Sequence, residues 1–298
     1  MPGKNISEIL KSGKILVSDG AWGTFLYQKG LKPGDSPERW CLTHFDEVKD
    51  IAKSYVDAGA DMVQTNSFGG TSFNLEHFGL KEKTAEINEA AARASREAAG
   101  FDKWVIASCG PTGKMLAAED VTEQELYDAF KEQAAALEKG GADAICIETM
   151  SDIEEAVIAI KAAKENTKLE VICTFTFEKT VRGDYRTMMG VTPFNAAKAC
   201  LEAGADIIGT NCGNGIERMI DIVKEIKTAA PESFIIVQAN AGLPVSTEGK
   251  VTFPDTPEDM AKHIPALIAA GANIIGGCCG TTPDHIKAIK QTIANLAE

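Results

Sequence analysis

The sequence predicts a parallel (β/α)8 barrel, and three observations carry that prediction. Eight short apolar runs alternate with eight stretches whose apolar residues recur at three- and four-residue spacing. Four of the runs open with a near-repeat of small residues followed by Asp or Asn. Polar groups, glycines and cysteines gather where the runs end, and in barrels of this kind that rim carries the chemistry.

The first strand is Ile15-Leu16-Val17. The near-repeats supply the second, fourth, sixth and eighth: Ala58-Gly59-Ala60-Asp61-Met62-Val63, Gly140-Gly141-Ala142-Asp143-Ala144-Ile145, Ala203-Gly204-Ala205-Asp206-Ile207-Ile208 and Ala270-Gly271-Ala272-Asn273-Ile274-Ile275. In each, a glycine suits a left-handed helix cap before the strand begins. Trp104-Val105-Ile106-Ala107, Val171-Ile172-Cys173-Thr174-Phe175 and Phe234-Ile235-Ile236-Val237 are the third, fifth and seventh. Runs this continuously apolar fit strands covered on both faces. The helical patterns cover Asp46 to Ala58, Glu82 to Ala99, Thr122 to Lys139, Asp152 to Asn166, Pro193 to Ala203, Ile216 to Ala229, Thr256 to Ala270 and Pro283 to Ala297. Thr192-Pro193, Thr256-Pro257 and Thr282-Pro283 each offer an N-cap threonine and a first-turn proline. Pro265 is expected to kink its helix. No linker or low-complexity tract interrupts the pattern, so a single domain over residues 1–298 is expected; a doubly wound open sheet is the structural alternative.

A formal net charge of -13 argues against nucleic acid or an anionic membrane as partner. No apolar run approaches the roughly 20 residues that span a bilayer. Met1-Pro2-Gly3-Lys4-Asn5 lacks a signal-peptide pattern, and a cytoplasmic location is expected. Eight cysteines in a chain this long do not read as a disulfide framework. Cys146, Cys173 and Cys200 sit in apolar periodic segments and read as small buried hydrophobes, while Cys41 falls in a loop.

The strand ends read in order as Asp19-Gly20-Ala21-Trp22, Gln64-Thr65-Asn66-Ser67-Phe68, Ser108-Cys109-Gly110-Pro111-Thr112-Gly113, Glu148-Thr149, Phe175-Thr176-Phe177-Glu178, Asn211-Cys212-Gly213, Asn240-Ala241-Gly242 and Gly276-Gly277-Cys278-Cys279-Gly280. Parallel strands of one barrel bring Cys212, Cys278 and Cys279 to the same rim, and three thiolates make a zinc site with one position open. Such a site suits activation of a thiol substrate, because a free thiol of pKa about 8.5 is only slightly ionised at pH 7. Other readings are a redox pair or packing at a tight turn, or a phosphate cradle at Gly280-Thr281-Thr282 before a helix. Cys109 is a possible fourth sulfur. His44, His77, His263 and His285 fall in loops or helices and read as surface or packing residues. Asp19 and Glu148, facing one cavity, would suit the ammonium group of an amino acid.

Taken together, these ordered motifs resemble the homocysteine S-methyltransferase family, and within it the homocysteine-binding barrel of cobalamin-dependent enzymes. The likeness runs from Asp19-Gly20-Ala21-Trp22-Gly23-Thr24 through Asn240-Ala241-Gly242-Leu243-Pro244 to Gly276-Gly277-Cys278-Cys279-Gly280-Thr281-Thr282-Pro283. The resemblance implies zinc on Cys212, Cys278 and Cys279, with Asn240 as a fourth ligand before substrate arrives. It implies L-homocysteine as methyl acceptor, with Asp19 and Glu148 on its amino group and Gly20, Thr65, Asn66 and Asn211 around it. Family members draw the methyl group from methylcobalamin, S-methylmethionine or betaine. Gly280 after the cysteines resembles the cobalamin-dependent branch. With no folate or cobalamin domain expected in residues 1–298, methylcobalamin would come on a separate corrinoid protein or domain. Trp22, Gln64 and Ala239 depart from the common family pattern.

Overall fold

A computed structural model describes residues 5–247 and 250–296. Eight parallel strands form one sheet: β1 (Leu16–Val17), β2 (Met62–Gln64), β3 (Trp104–Cys109), β4 (Ala144–Met150), β5 (Glu170–Phe175), β6 (Ile207–Gly215), β7 (Ile235–Asn240) and β8 (Ile274–Gly277). Their order is β1-β8-β7-β6-β5-β4-β3-β2, so first and last strands are neighbours and the sheet curls into a barrel. The seam between β1 and β2 has no ladder. There the Asp61 backbone N–H donates to Val17 O at 2.7 Å, and the Val17 N–H donates to Asp61 Oδ2 at 2.9 Å.

The sequence repeat has a structural purpose at this seam and at three equivalent places. Asp143 accepts from Val105 N, Asp206 from Val171 N and Asn273 from Ile235 N, at 2.7, 2.7 and 2.9 Å. Each even strand thus staples the start of the odd strand beside it. The glycine before each staple, at 59, 141, 204 and 271, is left-handed, which closes the preceding helix as its sequence predicted.

Helices α1 (Phe45–Asp57), α2 (Thr84–Ala99), α3 (Glu123–Lys139), α4 (Ile153–Asn166), α5 (Pro193–Glu202), α6 (Ile216–Ala229), α7 (Ile264–Ala270) and α8 (Pro283–Leu296) follow the strands. Their apolar faces form one buried layer with the outer strand faces. The barrel interior holds Leu16, Met62, Ile106, Ile172, Ile236 and Ile274, each fully buried and worth about 1.5–3 kcal/mol when removed from water. A short helix, Ile6–Leu10, closes the lower mouth. Glu170 accepts from the Ser7 N–H at 3.1 Å and from the Ile6 N–H, taking up free donors of that first turn.

Some expectations change. The stretch Thr256 to Ala270 is two helices, Pro257–Ala261 and α7, because Pro265 falls in the first turn of the second. A proline there starts a helix rather than bending one. Cys41 is buried in a short helix, Trp40–Thr43, not in a loop. Two small hairpins, Glu178–Lys179 with Tyr185–Arg186 and Val245–Thr247 with Lys250–Thr252, rise beside β5 and β7 without having been expected. Ala297, the expected end of the last helix, and the Met1–Lys4 segment lie outside the described residues. Among the described residues no helix is long and apolar enough to cross a membrane.

Candidate functional site

The end of β8 is fixed by close backbone packing. A Cβ on Gly276 would stand 2.7 Å from Ser18 Cβ and 2.8 Å from Asp19 O, so only glycine lets β8 lie this near β1. Gly280 turns the chain back at φ +81°, in the left-handed region. The intervening cysteines are pinned from several sides: Cys278 N donates to Ala239 O at 2.7 Å, Ala241 N to Cys279 O at 3.0 Å, and Thr281 Oγ1 to Cys278 O at 2.7 Å. Cys212 reaches them by a different device. The β6–β7 register shifts between Asn211 and Gly215, and Cys212 itself is left-handed at φ +56°. That irregularity re-aims the side chain out of the ladder.

The three sulfurs of Cys212, Cys278 and Cys279 all lie within 4.8 Å of one another, with Cys212 and Cys279 3.9 Å apart. A tetrahedral zinc with Zn–S near 2.3 Å needs sulfur pairs about 3.8 Å apart, so the set fits that ion. Hydrogen bonds from Cys278 and Cys279 push the Cys212 thiol down to about 3, while Cys279 is pushed up to about 12, chiefly by sharing its proton with Cys212. Cys278 is raised as well. Three sulfurs this close repel one another once ionised, and a divalent cation would supply the opposing charge. Beside Cys212 stands the Asn240 amide, whose buried Oδ1 has no hydrogen-bond partner among the described residues. Cys109 is not in this cluster; it is buried, and burial pushes its thiol far up.

A cavity of about 260 Å³ opens beside the sulfurs. Gly20, Thr65, Asn66, Glu148 and Asn211 line it, as do all three cysteines. Among the described residues no Lys, Arg or His contributes to its wall, whereas Glu38 and Glu148 do. The cavity therefore favours a ligand with a cationic end. Glu148 accepts from Ser108 Oγ, from Gln64 Nε2 at 2.9 Å and from Asn211 Nδ2 at 3.3 Å, and burial raises its pKa.

Asp19 lies just behind the wall, fully buried and not lining the cavity. Its Oδ2 accepts from Gln64 N at 2.7 Å and from Trp22 Nε1 at 2.9 Å, and its Oδ1 from Ser18 Oγ at 3.2 Å. Burial outweighs these bonds and pushes it up to about 7. Its observed contacts orient Trp22 and the end of β2. The Asn66 side chain also turns into the framework, donating to Pro37 O at 2.7 Å and packing its amide on the Cys41 sulfur.

The model of the family described as homocysteine S-methyltransferase matches residues 16–293, which span every strand and all three clustered cysteines. The chain belongs to the homocysteine S-methyltransferase family. Two methionine synthases, from Mycobacterium leprae (strain TN) and Mycobacterium tuberculosis (strain ATCC 25618 / H37Rv), are each 30% identical to it, over 300 and 304 residues. These alignments cover 94% and 96% of this chain but 24% and 25% of the relatives, so the chain spans about a quarter of their length. The metallated form of homocysteine methyltransferase MmuM from Escherichia coli superposes with a TM-score of 0.77, at 22% identity, over 95% of this chain and 98% of that one. Its oxidised form gives 0.78, also at 22% identity, over 97% and 99%. At such identity the likeness is one of fold.

In this homocysteine S-methyltransferase barrel several site residues had no distinguishing mark in the sequence. Glu38 precedes the first barrel helix, where nothing signals proximity to a strand end; its carboxylate accepts from Gly69 N at 2.8 Å and Ser36 Oγ at 2.9 Å while lining the cavity. Ser108 and Thr149 stood at strand ends but carried no signal beyond that. His285, expected at the surface or in packing, is buried: Thr282 N donates to its Nδ1 at 3.1 Å, which caps α8.

Proposed function

We propose that this chain transfers a methyl group to the sulfur of L-homocysteine, giving methionine, at a zinc site held by Cys212, Cys278 and Cys279. One observation carries the reading: a single cavity has three sulfurs at one end and a buried carboxylate, Glu148, in its wall, with no basic side chain among the described residues that line it. An amino acid with a thiol at its far end matches both. Zinc, when bound, supplies the positive charge that keeps a substrate thiol ionised at neutral pH. The three cysteine thiolates leave the set electron-rich, so the substrate sulfur keeps its nucleophilicity. Asn240, with its unpaired Oδ1 beside Cys212, is the oxygen that can complete the set without substrate.

Glu148, fixed by Ser108, Gln64 and Asn211, receives the substrate ammonium group. Asp19 holds the Trp22 indole and the β2 end in place around that group. Held at both ends, the substrate presents its sulfur in one fixed orientation toward the open rim, which lowers the entropic cost of meeting the donor. The new sulfur–carbon bond forms as the bond from methyl to donor breaks, and its electron pair leaves with the donor.

For the donor we propose methylcobalamin brought by a separate corrinoid protein or domain. The Gly280 that follows the cysteines and the 30% identity to methionine synthases support this choice. The test is methionine formation from L-homocysteine by zinc-replete protein with free methylcobalamin, S-methylmethionine or betaine. Turnover with methylcobalamin, lost in Cys212→Ser, is expected. Turnover only with one of the other two moves the donor. No turnover with any donor, together with reversible Cys278–Cys279 oxidation, would favour thiol-redox chemistry.

A further inference from the structure

We propose that Asn211 is a positioning residue that fixes the span between the amine end and the sulfur end of the cavity, and so selects homocysteine over the shorter cysteine. The inference rests on the functional reading above. Asn211 is almost fully buried and spends its whole hydrogen-bonding capacity on this task. Its Oδ1 accepts from Thr149 N at 2.9 Å and Thr174 Oγ1 at 2.8 Å; its Nδ2 donates to Thr149 Oγ1 at 2.7 Å and Glu148 Oε2 at 3.3 Å.

What this amide joins matters more than how many bonds it makes. Thr149 and Cys212 are two of only three non-glycine residues with positive φ among the described residues, at +60° and +56°. Left-handed backbone is costly for a β-branched residue such as Thr149 and persists only where its surroundings enforce it. Thr149 directly follows the carboxylate Glu148, and Cys212 directly follows Asn211. The two strand irregularities that aim the carboxylate and the sulfur, between Ile147 and Met150 in β4 and between Asn211 and Gly215 in β6, are therefore locked to each other across β5, which lies between these strands. Cysteine carries its sulfur nearer its ammonium by one carbon–carbon bond, about 1.5 Å. A span fixed by one rigid amide cannot shorten to hold both ends of it.

The test measures zinc content and calorimetric Kd values for L-homocysteine and L-cysteine in the wild type, Asn211→Ala, Thr149→Val and Thr149→Ser. A pocket typically separates ligands that differ by one methylene by about 10- to 200-fold. The wild type and Thr149→Ser, which retains the hydroxyl, should show such a preference. Asn211→Ala and Thr149→Val should retain zinc while the preference falls at least tenfold, through weaker homocysteine binding. Thr149→Val lies outside the cysteine set and carries the test if Asn211→Ala fails to fold. Equal weakening of both amino acids, or an unchanged ratio, overturns the inference while leaving the functional reading intact. A zinc-loaded wild type that binds neither amino acid overturns both.

Discussion

Replacing Glu148 with glutamine removes the charge proposed to hold the substrate ammonium while keeping side-chain size. The carboxylate is buried and receives three donors, from Ser108, Gln64 and Asn211. Glutamine turns one of its two acceptor oxygens into a donor facing those donors, and it cannot pair with a cation. Breaking a buried, hydrogen-bonded charge pair costs about 2–5 kcal/mol, which raises the Kd for homocysteine by roughly 30-fold to several thousand-fold. The assay compares L-homocysteine with 4-mercaptobutanoate, the same molecule without its amine, by calorimetry on zinc-loaded protein. In the wild type homocysteine should bind far more tightly; in Glu148→Gln the two should converge because only homocysteine weakens. An equal loss for both ligands would refute the amine assignment and make Glu148 a framework residue.

Two further perturbations probe the groups behind the site. Asp19 is raised from 3.8 to about 7, so between those values the folded chain holds a proton that the unfolded chain has released. Stability from this group therefore falls as pH rises through that window, by at most about 4 kcal/mol. In Asp19→Asn the amide oxygen can accept from Trp22 and Gln64 while its nitrogen donates to Ser18, and the pH-linked loss should vanish. Denaturant unfolding at pH 5 and pH 8 should show the variant gaining on the wild type at the higher pH, and a constant difference would contradict the assignment. At the barrel seam, Asp61→Ala strands the buried Val17 N–H and should cost about 1–3 kcal/mol of unfolding free energy. Asp61→Asn should cost less, since Asn273 already makes the equivalent bond to Ile235 N.

The barrel was legible in the sequence because its signals are local and repeated. A glycine cap, a staple residue and an apolar run recur at four of the eight strands, and each reports its own structure. The sulfur cluster was legible for a related reason: Gly276-Gly277-Cys278-Cys279 ends one strand and Cys212 another. The partners of the carboxylates were not, because they depend on which way a strand-end side chain points. Gln64 bridges Glu148 through its side chain and Asp19 through its backbone, and no spacing announces that. Asp19 stands at a strand end like Glu148, yet burial behind Trp22 gives it a different set of contacts. Pro265 misled for want of one boundary, since the same proline kinks a helix interior and begins a new helix.

The most direct measurement is the zinc content of protein purified without added metal, followed by titration with L-homocysteine in buffers of different ionisation enthalpy. About one zinc per chain is expected, with its loss in Cys212→Ala and about one proton released as each homocysteine binds. Protein that takes up no zinc even when it is supplied, and releases no proton with homocysteine, would contradict a thiol-activating metal site at Cys212, Cys278 and Cys279.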